Sequence, residues 1–128
     1  MAKTKTANDK AYRKAADELF MAKYRGQQCE VCGVVYKTVF HHVIPKSRST
    51  ALRYDPRNGI ILCQAHHTMG NDKSAHSSNS MAVDRFMTWF KTTFPARYQW
   101  IKENERIQRK FTYRQALENL RVGRDAWE

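Results

Sequence analysis

Apolar residues recur at helical spacing near the start of the chain. Ala11, Ala15, Leu19 and Ala22 form one row, with Tyr12, Ala16 and Phe20 beside them. This pattern predicts a helix over 8–25, capped by Asn8 and stopped by Gly26. Val34 to His42 is rich in β-branched and aromatic residues and predicts a strand. Pro45, Ser47, Ser49, Pro56, Asn58 and Gly59 break any period over 45–59, predicting a loop. Ile60, Ile61 and Leu62 predict a short buried strand, followed by a helix starting near Cys63. Residues 70–80 are small and polar, as in a loop or a frayed helix end. Val83, Phe86, Met87 and Phe90 give Met81–Phe94 an apolar stripe, which predicts a helix capped by Ser80. Pro95 breaks that helix and opens a weaker one reaching about Arg109. Thr112-Tyr-Arg-Gln115 has the form of a capping box, with Ala116, Leu117 and Leu120 continuing a last helix. The centre therefore reads as β-β-α wrapped by helices, and Tyr12, Phe86, Trp89, Phe90 and Trp100 read as core.

Composition adds limits. A chain of 128 residues, 41% hydrophobic, can bury one small core that gains from an extra staple. Its longest apolar stretches, such as Gly59 to Cys63, are far too short to cross a bilayer. Met1-Ala-Lys-Thr-Lys5 is followed by no apolar run, so a secretory signal is not expected and a cytoplasmic setting is. Lys and Arg number 23 against 12 acids, a formal net charge of +11, which suits a polyanionic partner such as DNA. The excess is spread along the chain, although Lys3 and Lys5 read as a short basic arm.

Three cysteines, Cys29, Cys32 and Cys63, cannot close a disulfide framework without one left over. All five histidines, His41, His42, His66, His67 and His76, fall between positions 41 and 76. Cys29-x2-Cys32 and Cys63-x2-His66 form two knuckle-like pairs thirty residues apart. Three thiolates and one imidazole suit a tetrahedral zinc ion joining the two ends of the β-β unit. Helix geometry alone also allows Cys63 to pair with His67, since i and i+4 share a face.

His41-His42 at the end of a strand, Asn58 in a loop and His67 after the second knuckle have no place in a purely structural zinc site. The segments Cys29-Glu-Val-Cys-Gly33, Phe40-His-His-Val-Ile-Pro-Lys-Ser47 and Asp55-Pro-Arg-Asn-Gly-Ile-Ile-Leu-Cys-Gln-Ala-His-His67 resemble the HNH (ββα-metal, His-Me finger) endonucleases. These segments span about a third of the chain. The run Ala51-Leu-Arg-Tyr-Asp-Pro-Arg-Asn58 is similar to phage HNH proteins, including the recombination-associated type from the Nin region of lambdoid phages. The resemblance implies that His41 and His67 hold a catalytic divalent metal and His42 is the general base. It implies that Asn58 orients the base-bearing segment, and it leaves His66 to the structural zinc. Where the family often has a further ligand, one turn later, this chain has Asn71. His76 reads as a surface residue.

The fold expected is α+β, a zinc-stapled ββα-metal core (28–76) between an N-terminal helix (1–27) and a helical C-terminal extension (77–128), all one HNH nuclease domain. The function expected is a divalent-metal-dependent DNA endonuclease serving phage or mobile-element recombination, junction processing or packaging. Magnesium, manganese and nickel all suit hard oxygen and imidazole donors with vacant positions. Lys46, Arg48, Arg53, Arg57 and Lys73 are expected to hold the phosphate backbone with little sequence preference. No membrane contact is expected; the tail after Pro95 offers a surface for a homodimer or a larger DNA-processing complex. The chief alternative is a catalytically silent, zinc-stabilised nucleic-acid-binding module. A third reading is a nuclease acting mainly on RNA or branched structures.

Overall fold

The computed structural model describes residues 2–70 and 72–128, with side chains from residue 9 onward. Among the described residues, four helices flank a two-stranded antiparallel sheet: α1 (Ala2–Ala22), β1 (Val39–His42), β2 (Gly59–Leu62), α2 (Ser80–Thr93), α3 (Pro95–Asn104) and α4 (Tyr113–Arg121). A 3₁₀ turn, Pro56–Asn58, leads into β2, and a π-helical turn, Ala65–Met69, follows it.

β1 is shorter than the run of β-formers that predicts it. Val34, Val35 and Tyr36 are exposed and loop away from the sheet, and Lys37 sits at φ 51. The first knuckle sets this shape: the Cys29 amide donates to the Val34 carbonyl and the Gly33 amide to that of Cys29. Gly33 has φ 82, a conformation that β-carbons disfavour. The knuckle then docks on β2. The Glu30 amide donates to the Ile61 carbonyl, the Glu30 carboxylate accepts from the Ile61 amide, and Arg97 of α3 pairs with that carboxylate at 3.0 Å. Pairing the short sheet's edge in this way satisfies groups that would otherwise stand open.

The core has two parts, divided by the sheet. On one side α1 packs along α4, and Ala16, Phe20, Phe40, Tyr54, Leu117 and Leu120 are buried together. Burial on α1 centres on Ala16 and Phe20 rather than on the row Ala11, Ala15, Leu19 and Ala22, because the bulkier rings carry the packing; Ala11 and Ala22 are exposed. On the other side Ile60, Leu62, Phe86, Phe90 and Ile101 pack around Cys29 and Cys63. Phe86 and Phe90 are core as expected, while Tyr12, Trp89 and Trp100 lie half-buried at its edges. Gly59 is required for the sheet to close: a β-carbon there would lie 1.8 Å from the Phe40 ring.

The remaining differences are at helix ends. Asn79, not Ser80, caps α2, its side chain accepting from the Met81 and Ala82 amides. α1 ends at Ala22, and Gly26 lies in the following turn at φ 78. α3 stops at Asn104 rather than near Arg109. Pro95 opens α3, and Thr112 and Gln115 form the reciprocal capping box of α4.

Candidate active site and metal centres

β1 pairs with β2 in the register Val39↔Leu62, Phe40↔Ile61, His41↔Ile60 and His42↔Gly59. Successive side chains on a strand point to opposite faces, so the two adjacent histidines are separated by the pleat. His42 turns with Phe40 toward the α1 core, its ring 5.0 Å from that of Phe40 and 6.1 Å from that of Phe20. His41 turns the other way, 6.0 Å from the Phe86 ring. One dipeptide thus supplies two differently placed imidazoles.

The turn after β2 makes a second division. Around a helical turn successive residues point roughly 100° apart, so His66 and His67 face different centres. His66 joins the knuckles. Its Nδ1 lies 3.3 Å from Cys63 Sγ and 3.8 Å from Cys29 Sγ, and Cys32 Sγ lies 3.8 Å from Cys63 Sγ. Two sulfurs bound at about 2.3 Å to one tetrahedral ion lie about 3.8 Å apart. The spacing therefore fits a single zinc-sized ion, and all four donor atoms lie within 4.8 Å of one another. The Cys29 and Cys32 thiols are pushed in opposite directions: the Val34 amide lowers Cys32, but burial and the neighbouring Cys29 and Cys63 outweigh it and raise that thiol. Burial raises the Cys29 thiol, but amides of Cys63, Cys32 and Val31 outweigh it and hold it below its ordinary value. A cation would relieve the crowding of sulfur charge.

His67 joins His41 instead, and His76, exposed as expected of a surface residue, joins the same cluster. The rings of His41 and His67 are 5.3 Å apart, while His76 is 4.6 Å from His41 and 5.1 Å from His67. Their donor nitrogens lie within 4.8 Å of one another. Residues 72–79 fold back so that the His76 amide donates to the His67 carbonyl and the Ala75 amide to that of His66. Burial, then the neighbouring histidines, push His41 down to about 3; burial and His76 lower His67. Three converging imidazoles are a donor set for a divalent cation with positions left open. Asn71 lies outside the described residues. His76 was missed because nine residues from His67 is no helical repeat; the available signal was that all five histidines fall within 41–76.

His42 stands beside this cluster, and both share a cleft of about 270 Å³ with Lys46 and Met21. Its Nε2 donates to the Arg53 carbonyl at 2.8 Å, which assigns the ring proton to Nε2 and leaves Nδ1 as acceptor. Burial, opposed by that carbonyl and helped by Lys46 and Arg53, pushes His42 down to about 4. It is therefore neutral at pH 7. The Arg53–Tyr54 segment is itself gripped from α1. Asp17 accepts from Arg53 at 2.8 and 2.6 Å and from the Tyr54 hydroxyl at 2.7 Å. Burial would raise the Asp17 carboxyl, but those donors hold it below its usual range. Asn58 is fully buried and clamps the chain after β1. Its Oδ1 accepts from the Ile44 amide at 2.8 Å, and its Nδ2 donates to the Ile44 carbonyl at 3.0 Å.

The basic candidates are placed unequally. Lys46 and Arg48 are exposed on the loop after β1. Arg53 is bound to Asp17, and Lys73 pairs with Asp72 at 3.1 Å. Arg57 pairs with the buried Asp55 and lies 4.1 Å over the Trp100 ring.

Residues 29–73 match the family model described as HNH endonuclease. The match takes in both knuckles, both strands and four of the five histidines, and stops short of His76. It supports the HNH family, and with it nuclease chemistry and nucleic-acid binding. No curated protein and no solved structure matches the chain. Among the described residues no helix is long and apolar enough to cross a membrane.

Proposed function

We propose that this protein is a divalent-metal-dependent DNA endonuclease that hydrolyses one phosphodiester bond per active site. The observation that carries this reading is the pairing of two unlike histidine arrangements in one cleft. The donor nitrogens of His41, His67 and His76 converge, and His42 beside them keeps a free Nδ1. A purely structural scaffold has no use for that pairing.

Hydrolysis needs a water deprotonated as it attacks phosphorus, in line with the oxygen that leaves. His42 Nδ1 accepts the water proton, and the Arg53 carbonyl holds the ring and stabilises the imidazolium through Nε2–H. Asp17 and Asn58 are positioning residues. Asp17 fixes the Arg53–Tyr54 segment, and Asn58 fixes the chain that follows His42. His41, His67 and His76 would hold the catalytic cation, with magnesium, manganese or nickel suited to the role. When bound, the cation neutralises charge developing on the phosphate. Cys29, Cys32, Cys63 and His66 would hold a structural zinc that ties the knuckle to the end of β2. Lys46 and Arg48 contact the phosphate backbone. Arg53, Arg57 and Lys73 serve first in ion pairs, and Asn71 is the remaining candidate ligand.

A phage or mobile-element role in recombination, junction processing or packaging, in the bacterial cytoplasm, follows from the resemblance of the 51–58 run. Cutting both strands would take a homodimer, a partner complex or two successive nicks. The test is relaxation of supercoiled plasmid in EDTA and with added magnesium, manganese or nickel. Open circles that form only with metal are expected. Absence of cutting with every metal, with DNA binding retained, would replace the enzyme with a silent binding module.

A further inference from the structure

The exposed face of α1 borders a groove of about 630 Å³, closed on its other side by Lys46 and Arg53. This groove and the histidine cleft share Met21 and Lys46, so the two run into one another. Lys10, Arg13 and Lys14 project into it from successive positions on one helical face. Its two acids are already matched: Asp17 is bound to Arg53 and Glu18 to Arg25. Lys10, Arg13, Lys14 and Lys46 are left as cations with no ion-pair partner among the described residues. Their number, on a surface that leads straight to the histidines, is a charge pattern complementary to a polyanionic strand.

We infer that the α1 groove is a phosphate rail for duplex DNA, carrying the strand on one side of the scissile bond. This rests on the histidine cleft being the cleavage site. Helix rise sets the reach. Lys10 lies eleven residues from Met21, about 16 Å along the axis, which corresponds to about five nucleotides at 3.4 Å each. Lys14 lies about three nucleotides out by the same measure. The lining favours a duplex over a single strand. No aromatic side chain is among the described residues that line the groove, so it offers cations without the stacking platforms that hold unpaired bases. Contacts of this kind fix register and carry no sequence information.

The experiment uses the full chain carrying His42→Ala, so that DNA is bound without turnover, and compares it with the same chain bearing Lys10→Ala, Arg13→Ala and Lys14→Ala. Binding to a duplex with a preplaced nick is followed by fluorescence anisotropy across a salt series. Each lost phosphate contact lowers the slope of log affinity against log salt by about 0.9, so a fall of about 2 to 3 is expected. Shortening the duplex on one flank from eight base pairs to two should weaken the parent and leave the triple variant little changed. A control with Lys91→Ala, Lys102→Ala and Arg121→Ala removes equal charge elsewhere and should keep the slope. An unchanged slope in the rail variant, or an equal fall in the control, overturns the rail. So does duplex RNA binding as tightly as DNA with the same flank dependence. Wild-type protein assayed in parallel for plasmid nicking keeps the two readings apart: a rail that binds without any nicking tells against the nuclease, not against the groove.

Discussion

Asp17→Ala removes a single carboxylate, and its consequences reach from α1 to His42. In the folded protein Asp17 accepts three hydrogen bonds, two from Arg53 and one from the Tyr54 hydroxyl. The Arg53 and Asp17 side chains are only 11% and 23% exposed, so solvent screens this pair less than a surface one. Removing one member of a buried pair costs about 3–5 kcal/mol, because the other charge is left desolvated and alone. Residual exposure places this case near the lower end, at about 3 kcal/mol, with the orphaned Tyr54 hydroxyl included. In a chain of this size that lowers the melting temperature by roughly 10 °C. Urea unfolding followed by tryptophan fluorescence gives the stability directly. The double-mutant cycle with Arg53→Ala should yield a coupling of about 2 kcal/mol. Nicking by the folded fraction should also slow at unchanged KM, because the carbonyl that holds His42 is carried by the segment Asp17 grips. A loss below about 1 kcal/mol with no coupling would refute the network.

Cys63→Ser should release one equivalent of zinc and unfold the knuckle, as measured by zinc-dye titration beside circular dichroism; a folded, zinc-free variant would contradict the staple. His66→Ala should behave like Cys63→Ser, whereas His76→Ala should keep zinc and fold but lose manganese affinity by roughly 10-fold or more by calorimetry; the reverse pattern would exchange the two centres. His42 is held at about 4 against an ordinary 6.5, so it is neutral in both states above pH 6.5. As pH falls from there, the unfolded chain takes up a proton that the folded protein refuses. The unfolding free energy from denaturant titration should therefore fall between pH 7 and 5 by roughly 2 kcal/mol from His42 alone, with His41 and His67 adding in the same direction. A flat profile across that window would contradict the burial assigned to these rings.

What could be read from the sequence depended on whether a group's role was set by local spacing. Cys29-x2-Cys32 and Cys63-x2-His66 bring their donor atoms together through one turn each, so a donor cluster was legible from spacing, although spacing alone did not separate His66 from His67. The helices from Asn79 onward were legible from Pro95 and from the Thr112–Gln115 box. The first strand was overextended because Val34, Val35 and Tyr36 have strand propensity, yet the turn of the knuckle exposes them. Asp17 gave no sign of its role: its partners lie 36 and 37 residues away and meet it only when α1 packs over the sheet. The same packing gives Arg53 an anionic partner that local sequence does not reveal. His76 returned to the cluster through a loop with no period to read.

The central claim is that His42 takes the proton from the attacking water while the three other histidines of the cleft hold the cation. Single-turnover nicking of supercoiled plasmid by wild type and His42→Ala, with manganese binding measured on the same preparations, tests it most directly. Equal manganese affinity, an intact fold and a rate reduced by roughly 10²–10⁴-fold are expected of the variant. A variant that nicks at the wild-type rate would contradict it.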